Sequence, residues 1–343
     1  MTTGVDPLTA DLSEVLLDQV RKVYDSGVAV ENLVRLSGGA SQETWSFDVV
    51  TAEGARMPLI LKRDPLLRDA QGVITTEESQ LPVSRLTEGK LMELARVARV
   101  PVPEVVFYLE ADERTTAGFV TERLDGEALG LRVIRNEALS RARDNLAFEC
   151  GHAAARLHGI PRDTLPDLVS MDIREELSYH HELMSEPGHP YPGFEYGFRW
   201  LEERIELAGD QHSLVHGDFR NGNFLVGVDG LRGVLDWEGA HLGNPLIDLG
   251  WICVRSWRYG YLKKPVGGFG DVEQLLAGYE AGGGGKVNRE SIRYWEVFGT
   301  LRWGILCINL TFKHLHGPHS SLEQAVIGRR TAETEYDLLD LLD

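Results

Sequence analysis

The chain has 343 residues, 43% of them hydrophobic and 26% charged, enough for two domains with real cores and too apolar for disorder. Its formal net charge of −18 disfavours nucleic acid and anionic membrane as partners, since both recruit clustered Lys and Arg. It gives a cationic substrate only a weak lift. Three cysteines, Cys150, Cys253 and Cys307, are odd in number and far apart. They predict buried thiols in a reducing compartment, not a disulfide framework. The opening MTTGVDPLTADLSEV lacks the basic and apolar regions of a signal peptide, and no apolar run reaches membrane-spanning length, so a cytoplasmic location is expected.

In chain order, residues 8–24 repeat Leu8, Leu12, Val15, Leu16, Val20 and Val23 at helical spacing, with Asp11 or Ser13 near the start. Val34-Arg35-Leu36, the turn Ser37-Gly38-Gly39-Ala40-Ser41 and the alternating Thr44–Val49 read as strand, tight turn, strand. Pro58–Lys62 is a short apolar strand ending in one lysine. Residues 86–99 are helical in pattern, closed by Pro101 and Pro103. Glu104–Leu109 and Gly118–Leu124 are two more strands. Asp125-Gly126 breaks the pattern, which predicts a domain of residues 1–124 and a second of 125–343. From about 138 helices dominate, including 142–158 with Leu146, Cys150, Ala154 and Leu157 on one side. They yield once, at 214–237, to a strand, a loop and a hairpin (Asn223–Gly227 and Gly233–Trp237) turned by Asp229-Gly230. The fold class expected is α+β, a mostly β first part with one internal helix and a larger helical second part.

The strongest chemical signal is His216-Gly217-Asp218-Phe219-Arg220-Asn221-Gly222-Asn223, followed by Leu235-Asp236-Trp237. Phosphoryl transfer needs a carboxylate that orients the attacking hydroxyl, hard oxygen ligands for Mg²⁺, and cations that offset charge on the transferring group. An Asp and an Asn five positions apart on one loop supply the first two, and an Asp returning on the next hairpin completes the metal set. The order H-x-D-x(4)-N, short hairpin, Asp is far rarer than its parts and is that of kinase catalytic loops. A turn rich in Asp, Asn and Gly for purely local reasons is the weaker reading.

The chain resembles the aminoglycoside phosphotransferase / choline kinase family, with a bilobal protein-kinase-like fold. Within it, the chain is similar to phosphotransferases related to the kinase domains attached to some acyl-CoA dehydrogenases. HGDFRNGNFLV carries the resemblance, with LSGGASQETW, LILKRDP, VPVPEVVF, GVLDWE and GNPLIDLGW, over roughly residues 30 to 310. It implies an N-terminal antiparallel sheet lobe with one key helix and a larger helical lobe. It implies ATP, or GTP, and Mg²⁺ as cofactors, and a small-molecule hydroxyl as acceptor. Asp218 is then the catalytic base, Arg220 a cation for the γ-phosphate or else a surface ion pair, and Asn223 and Asp236 the metal ligands. His216 braces the loop. Lys62 reaches the α- and β-phosphates, with Glu88 as its ion-pair partner and Glu93 as the competitor. Ser37, Gly38, Gly39 and Ser41 cover the triphosphate, and backbone groups around Glu122 and Leu124 meet the adenine edge. Asp248 either holds the catalytic-loop backbone or caps a helix.

Three departures follow. The glycine turn is not a Walker A loop, since Gly285-Lys286 leads to Val287. Trp237-Glu238 replaces Phe-Gly after the metal Asp, and Glu238 is a further metal or substrate contact to consider. Only residues 237–243 separate Asp236 from Asn244, too few for a long activation loop, so an enzyme without that switch and without protein substrates is expected. His180, His181, His189, His314 and His316 read as scattered surface histidines, and Trp295, Phe298, Trp303 and Phe312 as helical core. The implied acceptor is a metabolite, such as a hydroxy acid or its thioester, before an antibiotic. Arg199, Arg255, Arg258 and Arg302 are candidates for an anionic one. An aminoglycoside or macrolide kinase is the alternative, and a nucleotide-binding pseudokinase is the alternative from another class.

Overall fold

The structure, a computed structural model, describes residues 7–24, 27–36, 43–68, 74–75, 83–317 and 322–343. Ser37, Gly38, Gly39 and Ser41 lie outside the described residues. The chain forms two compact units, Met1–Val97 with Val102–Asp125, and Ala98–Pro101 with Gly126–Asp343.

The first unit is built on strands β1 (Ala29–Arg35), β2 (Glu43–Val50), β3 (Arg56–Arg63), β4 (Leu67–Arg68), β5 (Ile74–Thr75), β6 (Val105–Leu109) and β7 (Gly118–Glu122), with helices α1 (Pro7–Tyr24) and α2 (Arg85–Val97). Five strands pair antiparallel in the order β1-β2-β3-β7-β6. Period-two alternation decides which helix each strand residue meets. Trp45, Phe47, Val49, Leu59, Leu61, Phe107, Leu109 and Val120 share one buried cluster with Leu12, Val15, Leu16 and Val20 of α1. Each such aliphatic side chain stabilises the fold by about 1.5–3 kcal/mol. The alternate residues turn to the other face, where Tyr108 and Phe119 lie against Gly89 of α2. Lys62, next to Leu61, is therefore on the α2 side of the sheet.

The second unit holds helices α3 (Gly130–Arg135), α4 (Ser140–His158), α5 (Ile173–Ser185), α6 (Pro192–Glu202), α7 (Leu246–Trp251), α8 (Val272–Ala281), α9 (Arg289–His316), α10 (Leu322–Gly328) and α11 (Thr331–Leu342). It also holds two small antiparallel pairs, β8 (Ser213–Val215) with β11 (His241–Gly243), and β9 (Phe224–Gly227) with β10 (Gly230–Val234). Helices α4 and α8 meet backbone to backbone. A Cβ on Gly151 would lie 2.0 Å from the Leu275 carbonyl oxygen, and one on Gly278 would lie 1.9 Å from that of Phe148.

Several expectations are corrected here. The second hairpin strand runs from Gly230 to Val234, not from Gly233 to Trp237, because Trp237–Gly239 form a short 3₁₀ turn. His180 is not a surface histidine: it is buried on α5, edge-on to Phe298 of α9. Trp295 and Phe298 are core, whereas Trp303 and Phe312 are only half-buried. Cys150, Cys253 and Cys307 are all buried free thiols. Among the described residues no helix is long and apolar enough to cross a membrane.

Candidate active site

In the first unit, Lys62 Nζ lies 3.1 Å from Oε1 of Glu88. Glu88 sits in the first turn of α2, on the same stripe as buried Leu91, Met92 and Ala95, and is itself fully buried. A carboxylate on an apolar stripe needs cations, and among the described residues Lys62 and Arg85 supply them. Arg85, also buried, donates from Nη1 to Glu88 Oε2 and from Nε to Asp64 Oδ1 at 3.0 Å. Arg85 was not a sequence candidate; a basic residue one helical turn before the buried acid was the available signal. Glu93 lies instead by Tyr108, whose phenol burial pushes up in pKa, helped by that carboxylate. Glu122 ends β7 and donates its N–H to Glu104 O at 2.9 Å. Leu124 follows, half-buried.

In the second unit the loop after β8 is pinned at alternate positions. His216, Phe219, Asn221 and Asn223 are buried, while Asp218, Arg220 and Gly222 between them are partly open. Phe219 packs on Phe224 at 4.8 Å between ring centroids. Asn221 Nδ2 donates to the carbonyl oxygens of Gly267 (2.7 Å) and Gly130 (3.3 Å). Gly217 has φ +77°, and a Cβ there would fall 2.1 Å from Gly239 O, so only glycine fits. The β9–β10 pairing then returns the chain: Leu235 N–H donates to Asn223 O at 2.8 Å, so the residue before Asp236 meets the loop at Asn223. Asp236 is left-handed at φ +69°, a strained conformation for a non-glycine residue and one that clusters at functional sites.

The loop is braced from behind by Asp248, which takes the backbone N–H of His216 (2.8 Å) on Oδ2 and that of Gly217 (2.9 Å) on Oδ1. It does not cap α7, whose N-cap position is Pro245. His158 Nε2, at the end of α4, lies 3.1 Å from Asp248 Oδ2, and its Nδ1 is 3.0 Å from the Tyr279 hydroxyl of α8. Burial alone would raise the Asp248 pKa, but the hydrogen bonds from His158 and the His216 backbone outweigh it and hold the group low. His216 Nε2–H donates to Leu235 O at 3.0 Å, and Nδ1 accepts from Asp218 N at 3.2 Å. Burial pushes its pKa down, so it stands as a neutral strut between loop and hairpin.

Asp218 is fixed by three donors. Trp251 Nε1 (2.7 Å) and Arg220 Nε (2.9 Å) both donate to Oδ1, and Asn223 Nδ2 donates to Oδ2 at 2.6 Å. With its amide nitrogen so used, Asn223 keeps its carbonyl oxygen for a cation. Arg220 stacks on Trp257, its Cζ 4.4 Å from the ring centroid. Burial works against its charge, yet the Asp218 carboxylate prevails and raises its pKa. It is an ion pair within the loop, not a surface one. Among the described residues no group of three His, Cys, Asp or Glu is set to hold a metal. The Asn223 oxygen and the Asp236 carboxylate are both hard donors that suit Mg²⁺, which keeps phosphate and water ligands as well. Trp251, His158 and Tyr279 escaped sequence reasoning. Their only signals were a tryptophan three residues after Asp248 and a histidine closing the buried stripe of α4.

One unit with an antiparallel sheet and a Lys–Glu pair, and another whose loop presents Asp and Asn before a hairpin Asp, define a phosphotransferase of the kinase type. The chain belongs to the phosphotransferase enzyme family, whose model matches residues 32–293. Among solved structures, a Ralstonia eutropha protein provisionally named as an aminoglycoside phosphotransferase shares the fold with a TM-score of 0.69 at 18% identity, over 96% of this chain and 97% of that one. A choline/ethanolamine kinase family protein from Mesorhizobium loti has a TM-score of 0.59 at 17% identity, over 95% and 94%. In sequence, the chain is 27% identical over 235 residues to an Arabidopsis thaliana protein provisionally named as an acyl-CoA dehydrogenase, covering 63% of this chain and 27% of that protein. It is 26% identical over 171 residues to acyl-CoA dehydrogenase family member 11 of Gallus gallus, covering 44% and 20%. The chain thus spans about a quarter of the length of these curated relatives.

Proposed function

We propose that the protein moves the γ-phosphoryl group of ATP, or GTP, with Mg²⁺, onto the hydroxyl of a small metabolite such as a hydroxy acid or its thioester. The observation that carries this reading is the Asp218 carboxylate. Two donors anchor Oδ1, and Oδ2, which among the described residues receives only the Asn223 amide, keeps a lone pair for the proton of an incoming hydroxyl. As that oxygen bonds to the γ-phosphorus, the bond from phosphorus to the β,γ-bridging oxygen breaks. The hydroxyl proton passes to Oδ2, and the products are a phosphate ester and a nucleoside diphosphate. Arg220 offsets charge on the transferring group. Asn223 and Asp236 would hold Mg²⁺, which neutralises phosphate charge when bound.

On the nucleotide side, Lys62, steered by Glu88, serves the α- and β-phosphates. Ser37, Gly38, Gly39 and Ser41 cover them. Because the N–H of Glu122 is already given to Glu104, its carbonyl and the Leu124 N–H are the groups offered to the base. Nucleotide use is supported by related folds solved with ADP and hygromycin B, with ADP and spectinomycin, and with GDP. The metabolite preference is supported by the sequence relatives with acyl-CoA dehydrogenase names.

The test is nucleoside diphosphate release across aminoglycosides, macrolides, choline-like amines and hydroxy acids, for the natural protein and Asp218→Asn. Asp218→Asn should lower turnover by on the order of 10²–10⁴ while nucleotide affinity is retained. Turnover that survives the substitution would remove Asp218 from the chemistry.

A further inference from the structure

The four arginines named above for an anionic acceptor are not equivalent in the structure. Arg199 is exposed on α6. Arg255 pairs with Asp337 and Asp340, and Arg258 with Glu296 and the Cys253 carbonyl. Arg302 of α9 differs. Its Cζ lies 4.8 Å from the ring centroid of Trp251, the residue that donates to Asp218. Its Nη1 is buried and, among the described residues, has no hydrogen-bond partner.

Two more donors of the same wall share that condition. Trp257, 5% exposed, packs tilted at 5.3 Å on Trp251, and Trp303 packs tilted at 4.8 Å on Trp257; the Nε1 of each is buried and, among the described residues, without a partner. A buried N–H left unpaired carries a desolvation penalty that an acceptor oxygen removes. Three such donors, on an aromatic wall one residue from the catalytic carboxylate, amount to a surplus that a group bearing only lone pairs would satisfy. Arg302 also lies within the field of the buried Glu176 carboxylate, which is 3.2 Å from His241 Nε2 and 3.4 Å from His180 Nδ1. The rest of the wall, Trp251, Val254 and Leu306, is apolar.

We propose that Arg302, with the indole N–H groups of Trp257 and Trp303, recognises the carboxylate or thioester carbonyl of an aliphatic hydroxy acid and so selects the acceptor. This rests on the phosphotransferase reading above. The guanidinium fork and two indole donors take the carbonyl oxygens, the tryptophan faces take the aliphatic stem, and the hydroxyl is left to Asp218. An acceptor that is itself polycationic meets two arginines, Arg220 and Arg302, on this wall and is disfavoured.

The probes are β-hydroxyoctanoate, its N-acetylcysteamine thioester, the uncharged 1,3-octanediol and choline. Each is followed by nucleoside diphosphate release and by quenching of tryptophan fluorescence. The natural protein should favour the acid or the thioester over the diol and choline, and which of the two wins identifies the carbonyl source. Arg302→Gln should raise KM for the favoured probe at least about tenfold, with kcat moved far less, and abolish the discrimination against the diol. Arg302→Lys, which keeps charge but loses the fork, should lie between. Trp257→Phe, which removes one N–H and keeps the ring, provides a second reading should Arg302→Gln not fold. Preference for the diol or choline, or an unchanged KM in both Arg302→Gln and Trp257→Phe, overturns the proposal. The two readings fail separately. Saturable quenching by β-hydroxyoctanoate that Arg302→Gln abolishes upholds the wall even if no phosphoryl transfer occurs, whereas transfer without that quenching upholds only the phosphotransferase.

Discussion

Trp251 donates to the same oxygen of Asp218 as Arg220 does, and the two together fix the plane of the carboxylate. A hydrogen bond to a charged group is worth about 1.5–3 kcal/mol, so Trp251→Phe, which keeps the ring, should lower kcat by roughly ten- to a hundredfold. The nucleotide KM should stay put. Steady-state kinetics with Asp218→Asn as the floor would measure this, and an unchanged kcat would leave Trp251 with packing alone. The loop geometry was legible because it is local: Asp218 and Asn223, five positions apart, are hydrogen-bonded, and the hairpin returns at Leu235, whose N–H reaches Asn223 O. Trp251 was not, since its indole reaches Asp218 from 33 positions away through the docking of a separate helix, and nothing local marks that approach. His158 and Tyr279 escaped for the same reason, each reading as an ordinary helical residue until α4 and α8 are packed together.

Elements were legible wherever period and punctuation agreed. Lys62 faces Glu88 because Leu61 is taken by the α1 side of the sheet, a parity already present in the apolar run 58–62. Helix α5 was harder to read, because His180 and Glu176 occupy its buried face where apolar residues are expected. Burial pushes His180 down to about 4, against about 6.5 in an unfolded chain. Between those values the unfolded chain binds a proton that the folded one excludes, so stability rises with pH across that window and is lost as pH falls from 6.5 toward 4. Glu176 acts in the same sense at the lower end. Burial opposes its charge, but the neighbouring His241, His180 and Arg302 hold its pKa down, so its contribution fades as pH falls through that depressed value. The natural protein should therefore lose on the order of 1–3 kcal/mol between pH 7 and pH 5 from the docking of α5 on α9, read as a fall in thermal midpoint. His180→Phe, which keeps the edge-on packing against Phe298, should flatten the profile. A midpoint equally pH-dependent in that variant would place the titration elsewhere.

Charge taken over the full chain bears on how an acceptor arrives. A formal net charge of −18 repels anions at long range, whereas the contacts proposed for Arg302 and Arg220 act only at short range. At about 0.01 M ionic strength the field extends some 30 Å, and at about 0.15 M it is cut to roughly 8 Å. Screening therefore removes the repulsion before it weakens the contact pair, which lies partly out of water. With Mg²⁺ and nucleotide saturating, kcat/KM for an anionic hydroxy acid should rise severalfold over that range. An uncharged diol should show a flat profile and a cationic amino alcohol a falling one. The three slopes separate a hydroxy-acid kinase from an antibiotic kinase on kinetics alone, because an aminoglycoside is drawn in by the same field that holds a carboxylate off. A rising slope for the acid that Arg302→Gln leaves intact, while KM itself climbs, would assign the arrival of the acceptor to the acidic chain and its retention to the arginine. A slope that falls for the acid would mean that the local cations outweigh the net charge already at long range.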